Sequence, residues 1–143
     1  MIYHKGALAK VFTPASPYKK QARFLAILWT LLIFIGCFTP GKDIPQVDVP
    51  FVDKWVHIVL FSGFTFLWLC SHPVRTPTAL IILFLIAVAL CSFIEMMQGL
   101  LTFLGRSMEL MDAVADCIGG AAGIGLFCLV AYLTGRPQKS STT

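Results

Sequence analysis

Three pairs of polar residues stand at helical spacing within largely apolar stretches. Asp53 and His57 are four residues apart, Glu95 and Gln98 three, Asp112 and Asp116 four. Residues three or four apart share one face of a helix, so each pair presents its groups in one direction. Carboxylates beside an imidazole can move a proton, hold a divalent cation or bind a cationic group. Lys54 and Arg106 add cations suited to a phosphate or carboxylate. The same groups could equally form a structural network, because polar side chains also hold membrane helices together.

The elements that must position these groups follow from composition. Of 143 residues 57% are apolar and only 13% charged, whereas a soluble domain is about a quarter charged. The bilayer is the expected solvent. An all-α polytopic bundle of four transmembrane helices is predicted, at 22–38, 54–71, 78–101 and 107–133. The first is 17 residues long, and residues 76–94 carry no charge at all. The domain organisation expected is a basic segment at 1–21, a membrane domain at 22–134 and a polar tail at 135–143. Pro14 and Pro17 interrupt the basic segment, and Pro40, Gly41, Pro45 and Pro50 mark a loop at 39–52. The aromatics Trp55, Phe61, Phe64, Phe66 and Trp68 read as a lipid-facing set on the second span.

Lysine and arginine set the expected orientation. With four spans, Lys5, Lys10, Lys19, Lys20, Arg23, Arg75, Arg136 and Lys139 share one side, and Lys42, Lys54 and Arg106 the other. The positive-inside rule then places both termini in the cytoplasm. All seven acids fall in the outer loops or the outer halves of the spans. A net charge of +4 distributed beside apolar spans is a topology signal and implies no nucleic-acid partner.

Some acids have simple structural explanations. Asp53 and Ser107 stand where helix N-caps are expected, and Glu109 and Asp112 fall in a first turn. Arg106 follows the C-terminus of the third span, where a cation is favoured. Glu95 and Asp116 have no such explanation. Each lies inside a span and must be neutral or paired, with Arg106, His57 and Lys54 as candidate partners. Gly119, Gly120 and Gly123 continue the Asp112/Asp116 face and read as a close helix-packing surface, with dimerisation the lesser alternative. The five cysteines show no metal-binding spacing and read as small hydrophobes. No nucleotide, zinc-protease or hydrolase motif is present. No cofactor is expected, and no spacing specifies a metal.

The motifs D-K-W-V-H (53–57), E-M-M-Q (95–98), G-R-S (105–107) and D-A-V-A-D-C-I-G-G-A-A-G (112–123), in this order, resemble the VanZ-like family of small bacterial membrane proteins. The resemblance covers about half of the chain. It implies a multi-pass protein of the bacterial cytoplasmic membrane, related to one linked to low-level resistance to the glycopeptide teicoplanin. Its polar positions map here onto Asp53, Lys54, His57, Glu95, Gln98, Arg106, Ser107 and Asp112. Asp116 departs from the pattern, since the family often has Asn there.

Two classes of function follow. One is a binding protein whose outward-facing cluster, Asp116 included, holds an envelope lipid headgroup or a glycopeptide-like amphiphile. The other is an intramembrane enzyme acting on such a lipid through His57 and carboxylates. The first is favoured because no nucleophile is evident; Ser107 is the only hydroxyl in its loop, and a capping role accounts for it. Asp53, His57, Glu95, Arg106 and Asp112 are expected to face one shared cavity.

Overall fold

The computed structural model describes residues 11–12, 16–43, 49–73 and 76–134. Four helices make up the bundle: α1 (Lys19–Phe38), α2 (Val52–Ser71), α3 (Pro77–Leu100) and α4 (Leu110–Thr134). Each is long and apolar enough to cross a bilayer, and no strand occurs among the described residues. The chain is a multi-pass membrane protein. Most of the basic N-terminal segment, Arg75 and the polar tail lie outside the described residues.

Proline and threonine set several of the ends. Thr39 is extended ahead of Pro40 and stops α1. Pro77 opens α3, and the Thr76 hydroxyl accepts from the Ala79 amide at 3.3 Å. The starts of α2 and α4 differ from expectation. The residue preceding α2 is Phe51, which sits in the left-handed region at φ 57°, so Asp53 lies in the first turn and is not the cap. Helix α4 begins at Leu110, three residues beyond Ser107, which is exposed and does not cap it.

Helices α2 and α4 both start at the same end of the bundle, run parallel and form its most extensive interface. Glycine makes that approach possible. A Cβ on Gly119 would collide with the backbone of Ile58, and one on Gly123 with the Ser62 carbonyl and the Thr65 hydroxyl. Thr65 donates to the Gly120 carbonyl at 3.0 Å across the same seam. Gly120 itself faces Phe84 and Ala87 of α3 at ordinary contact distance. Gly119, Gly120 and Gly123 are therefore packed against α2 and α3 within the bundle, while a Cβ on Gly125 would meet nothing within 4 Å.

Helix α1 docks on the opposite flank of α2 through two indoles. Trp29 Nε1 donates to the Leu60 carbonyl at 2.8 Å, with its ring lying over Gly63, and Trp68 Nε1 donates to the Thr30 hydroxyl at 3.3 Å. Because α2 has neighbours on both flanks, Phe61 and Phe64 are core residues and do not face lipid. Trp55, by contrast, is exposed. The five cysteines are unpaired thiols, three of them buried.

Candidate functional site

The polar residues gather where α1 and α3 end and α2 and α4 begin. The loops there pack backbone against backbone: a Cβ on Gly41 would stand 2.8 Å from the Gly105 carbonyl oxygen. Gly105, at φ 65°, turns the chain towards α4.

An outer layer centres on Lys54. Its ammonium lies 2.7 Å from Asp53, 2.6 Å from Glu109 and 2.6 Å from Asp112. Asp53 and Glu109 meet it as hydrogen-bond acceptors. The approach to Asp112 Oδ1 is close but is not a directed hydrogen bond, so that contact is best described as ionic. One cation thus links the first turn of α2 to the start of α4.

An inner layer lies one turn deeper. His57 Nδ1 meets Asp116 Oδ1 at 2.9 Å, and its Nε2 is 4.0 Å from Asp112 Oδ2. Glu95 Oε2 accepts the backbone N–H of Glu109 at 2.8 Å, a donor that the start of α4 leaves free. Gln98 donates to the Cys37 carbonyl at 2.9 Å, joining α3 to α1. His57, Glu95, Gln98, Asp112 and Asp116 are all buried. Thus the three stripes expected from spacing do converge. Of the candidate partners expected for Glu95 and Asp116, only His57 pairs as expected, with Asp116. Glu95 takes a backbone amide, Lys54 pairs with Asp112, and Arg106 meets no acid among the described residues.

Arg106 instead reaches back to α1. Its Nε donates to the Thr39 carbonyl at 3.3 Å and its Nη2 to the Gly36 carbonyl at 3.1 Å. It caps the end of α1, not that of α3, satisfying carbonyls that the helix end leaves unpaired. Among the described residues no carboxylate lies within 4.0 Å of its guanidinium.

A cavity of about 460 Å³ opens between α1 and α2 at this end. Asp43, Asp53, His57 and Arg106 supply its charged and polar edge, and Cys37, Val52, Val56 and Leu60 much of its apolar wall. Of the five residues expected to face one shared cavity, Asp53, His57 and Arg106 line it, whereas Glu95 and Asp112 lie with Asp116 in the buried network, so the site has two parts, a cavity and a network. His57 belongs to both parts, forming cavity wall on one side and the partner of Asp116 on the other. Sequence reasoning did not single out Gly36, Cys37, Thr39 or Asp43 as site residues. Their one local signal is a glycine near the end of an apolar helix, followed by an acid just beyond the turn.

The family model described as VanZ/LLP1 matches residues 10–131. The chain belongs to the VanZ/LLP1 family. That match runs through all four helices and both layers of the polar cluster of this VanZ/LLP1 protein. Comparison with curated proteins and with solved structures gives no match.

Proposed function

We propose that this VanZ/LLP1 protein resides in a bacterial cytoplasmic membrane and holds the anionic headgroup of an envelope amphiphile in the cavity between α1 and α2. The observation that carries this reading is Arg106: a cation at the cavity edge with no acidic partner among the described residues, beside an apolar wall. A guanidinium with unmatched charge binds phosphate or carboxylate well. The apolar wall suits the first methylenes of an acyl chain, while Asp43 and Asp53 on the same edge suit a cationic group carried by the same ligand. The lysine and arginine bias puts this end outside the cytoplasm. A link to low-level teicoplanin resistance, implied by the resemblance, fits a protein that engages amphiphiles at that surface.

Catalysis on the same lipid is the second reading. One observation favours it: the His57 ring lines the cavity while bonded to Asp116, the arrangement of an oriented general base. Against it, the lining hydroxyl of Thr39 donates to the Ile35 carbonyl at 2.6 Å and is not directed at His57.

The test is retention of lipids by the protein in nanodiscs, read by native mass spectrometry after mixing with anionic and zwitterionic phospholipids. Anionic or phosphate-bearing lipids should be retained by the wild type and lost in Arg106→Ala. Val56→Trp, which fills the cavity and leaves Arg106 in place, should lose them too. Equal retention by wild type and Val56→Trp would overturn the reading. Conversion of a labelled lipid, abolished in His57→Asn, would favour the enzyme.

A further inference from the structure

The polar cluster contains two groups of three acidic or histidine residues close enough to surround an ion, and they differ in one respect. In the outer group, Asp53, Glu109 and Asp112, the ammonium of Lys54 already occupies the centre. The inner group, His57, Glu95 and Asp116, has no lysine or arginine. One ligating atom from each of its residues lies within 4.8 Å of the others. The three come from α2, α3 and α4 and are almost withdrawn from solvent, at 7%, 3% and 1% exposure. Each carboxylate there uses one oxygen and leaves the other without a partner. Glu95 Oε2 takes the Glu109 amide and Asp116 Oδ1 takes His57, whereas Glu95 Oε1 and Asp116 Oδ2 are buried with no hydrogen-bond partner among the described residues. Unpartnered carboxylate oxygens at this depth are costly.

The geometry points to a divalent transition-metal site formed by His57, Glu95 and Asp116, with Zn²⁺ or Mn²⁺ as the ion. Two carboxylates and a neutral imidazole carry a charge of −2, which a divalent cation balances. An imidazole with two carboxylates suits first-row transition ions better than Mg²⁺ or Ca²⁺, which prefer oxygen alone. At metal–ligand distances of about 2.1 Å, tetrahedral donors stand roughly 3.4 Å apart, so the widest pair closes by about 1.4 Å at most. His57 also reaches the cavity, so an ion held there would stand directly behind the wall of the proposed headgroup site. The metal site does not depend on that headgroup reading, which rests on Arg106.

The experiment uses full-length protein with any affinity tag removed, stripped with chelator and reconstituted in nanodiscs. Equilibrium dialysis against Zn²⁺, Mn²⁺, Co²⁺, Mg²⁺ and Ca²⁺ is followed by elemental analysis of the protein. One tightly held Zn²⁺ or Mn²⁺ per chain is expected, with no stoichiometric Mg²⁺ or Ca²⁺. Glu95→Gln and Asp116→Asn should each weaken Zn²⁺ binding by more than the roughly 10–100-fold that loss of an outer partner costs. Asp53→Asn, in the outer group, should leave it unchanged. Should the inner-group variants fail to fold, X-ray absorption of the Zn²⁺-loaded wild type still decides, because the site requires one imidazole nitrogen among oxygen ligands. Absence of stoichiometric binding overturns the proposal. So does a coordination shell without imidazole, or Zn²⁺ affinity unaltered in Glu95→Gln and Asp116→Asn.

Discussion

Replacing Gly119 by alanine tests what sets the distance between α2 and α4. The added Cβ would lie 2.9 Å from Ile58 Cα and 3.0 Å from its carbonyl carbon, and nearer still to the carbonyl oxygen. These are backbone atoms of a helix, so no rotamer change relieves the clash. Restoring ordinary contact requires the helices to part by about 1 Å, judged against the close packing of interiors. That displacement falls one turn from His57 and Asp116, whose 2.9 Å contact would stretch beyond hydrogen-bond range. It would also strain the 3.0 Å bond from Thr65 to Gly120. Overpacking costs about 1–3 kcal/mol, and the lost charge-assisted bond adds roughly 1–3 kcal/mol. Gly119→Ala should therefore lose about 2–6 kcal/mol, and Gly119→Ala with Gly123→Ala should not assemble. Gly125 supplies the control, since a Cβ there meets nothing within 4 Å. Gly125→Ala should be neutral or gain up to about 1 kcal/mol of helix propensity. Thermal and denaturant unfolding in a fixed detergent, followed by circular dichroism, measures all three. Equal stability of Gly119→Ala and Gly125→Ala would refute the claim that this glycine face fixes the seam.

Two further outcomes are expected. Reporter fusions should be cytoplasmic at Arg136 and external after Gly105; an external signal at Arg136 would sink the orientation argued from the lysines and arginines. Glu95→Gln keeps an acceptor for the Glu109 amide and should change stability by less than about 1 kcal/mol, whereas Glu95→Ala leaves that amide bare and should cost roughly 1–3 kcal/mol. Unfolding free energies that fail to separate Gln from Ala at this position would show that the Glu95–Glu109 bond contributes nothing.

The spans were legible because twenty-odd apolar residues admit few alternatives in a bilayer, and prolines punctuate the gaps. Polar stripes were legible for a similar reason: spacing of three or four fixes a face. Which faces meet depends on surfaces far apart in sequence, and here the glycines of α4 were the informative residues. Capping was misjudged at Asp53 and Ser107 because a cap rule weighs one local side chain. At α4 the free amide of Glu109 is instead taken by Glu95, fourteen residues earlier on another helix. Arg106 was placed with the acids on grounds of charge, yet loop packing at Gly41 and Gly105 turns it towards the end of α1. No local pattern encodes that turn, and the α1 side of the cavity, formed by Gly36, Cys37 and Thr39, was invisible for the same reason.

The α2–α4 seam also has a consequence for biogenesis. Helices α1 and α2 are neighbours in sequence and can join through Trp29 and Trp68 as they leave the ribosome. Lys54 and His57 enter the bilayer region with that hairpin, ahead of most of the acids that will neutralise them. Glu95 follows on α3, still without the amide that it will accept. Only when α4 arrives do Glu109, Asp112 and Asp116 complete the set. A chain that lacks the segment from Glu109 onward therefore leaves Lys54 with Asp53 alone and leaves His57 and Glu95 without the groups that meet them in the finished bundle.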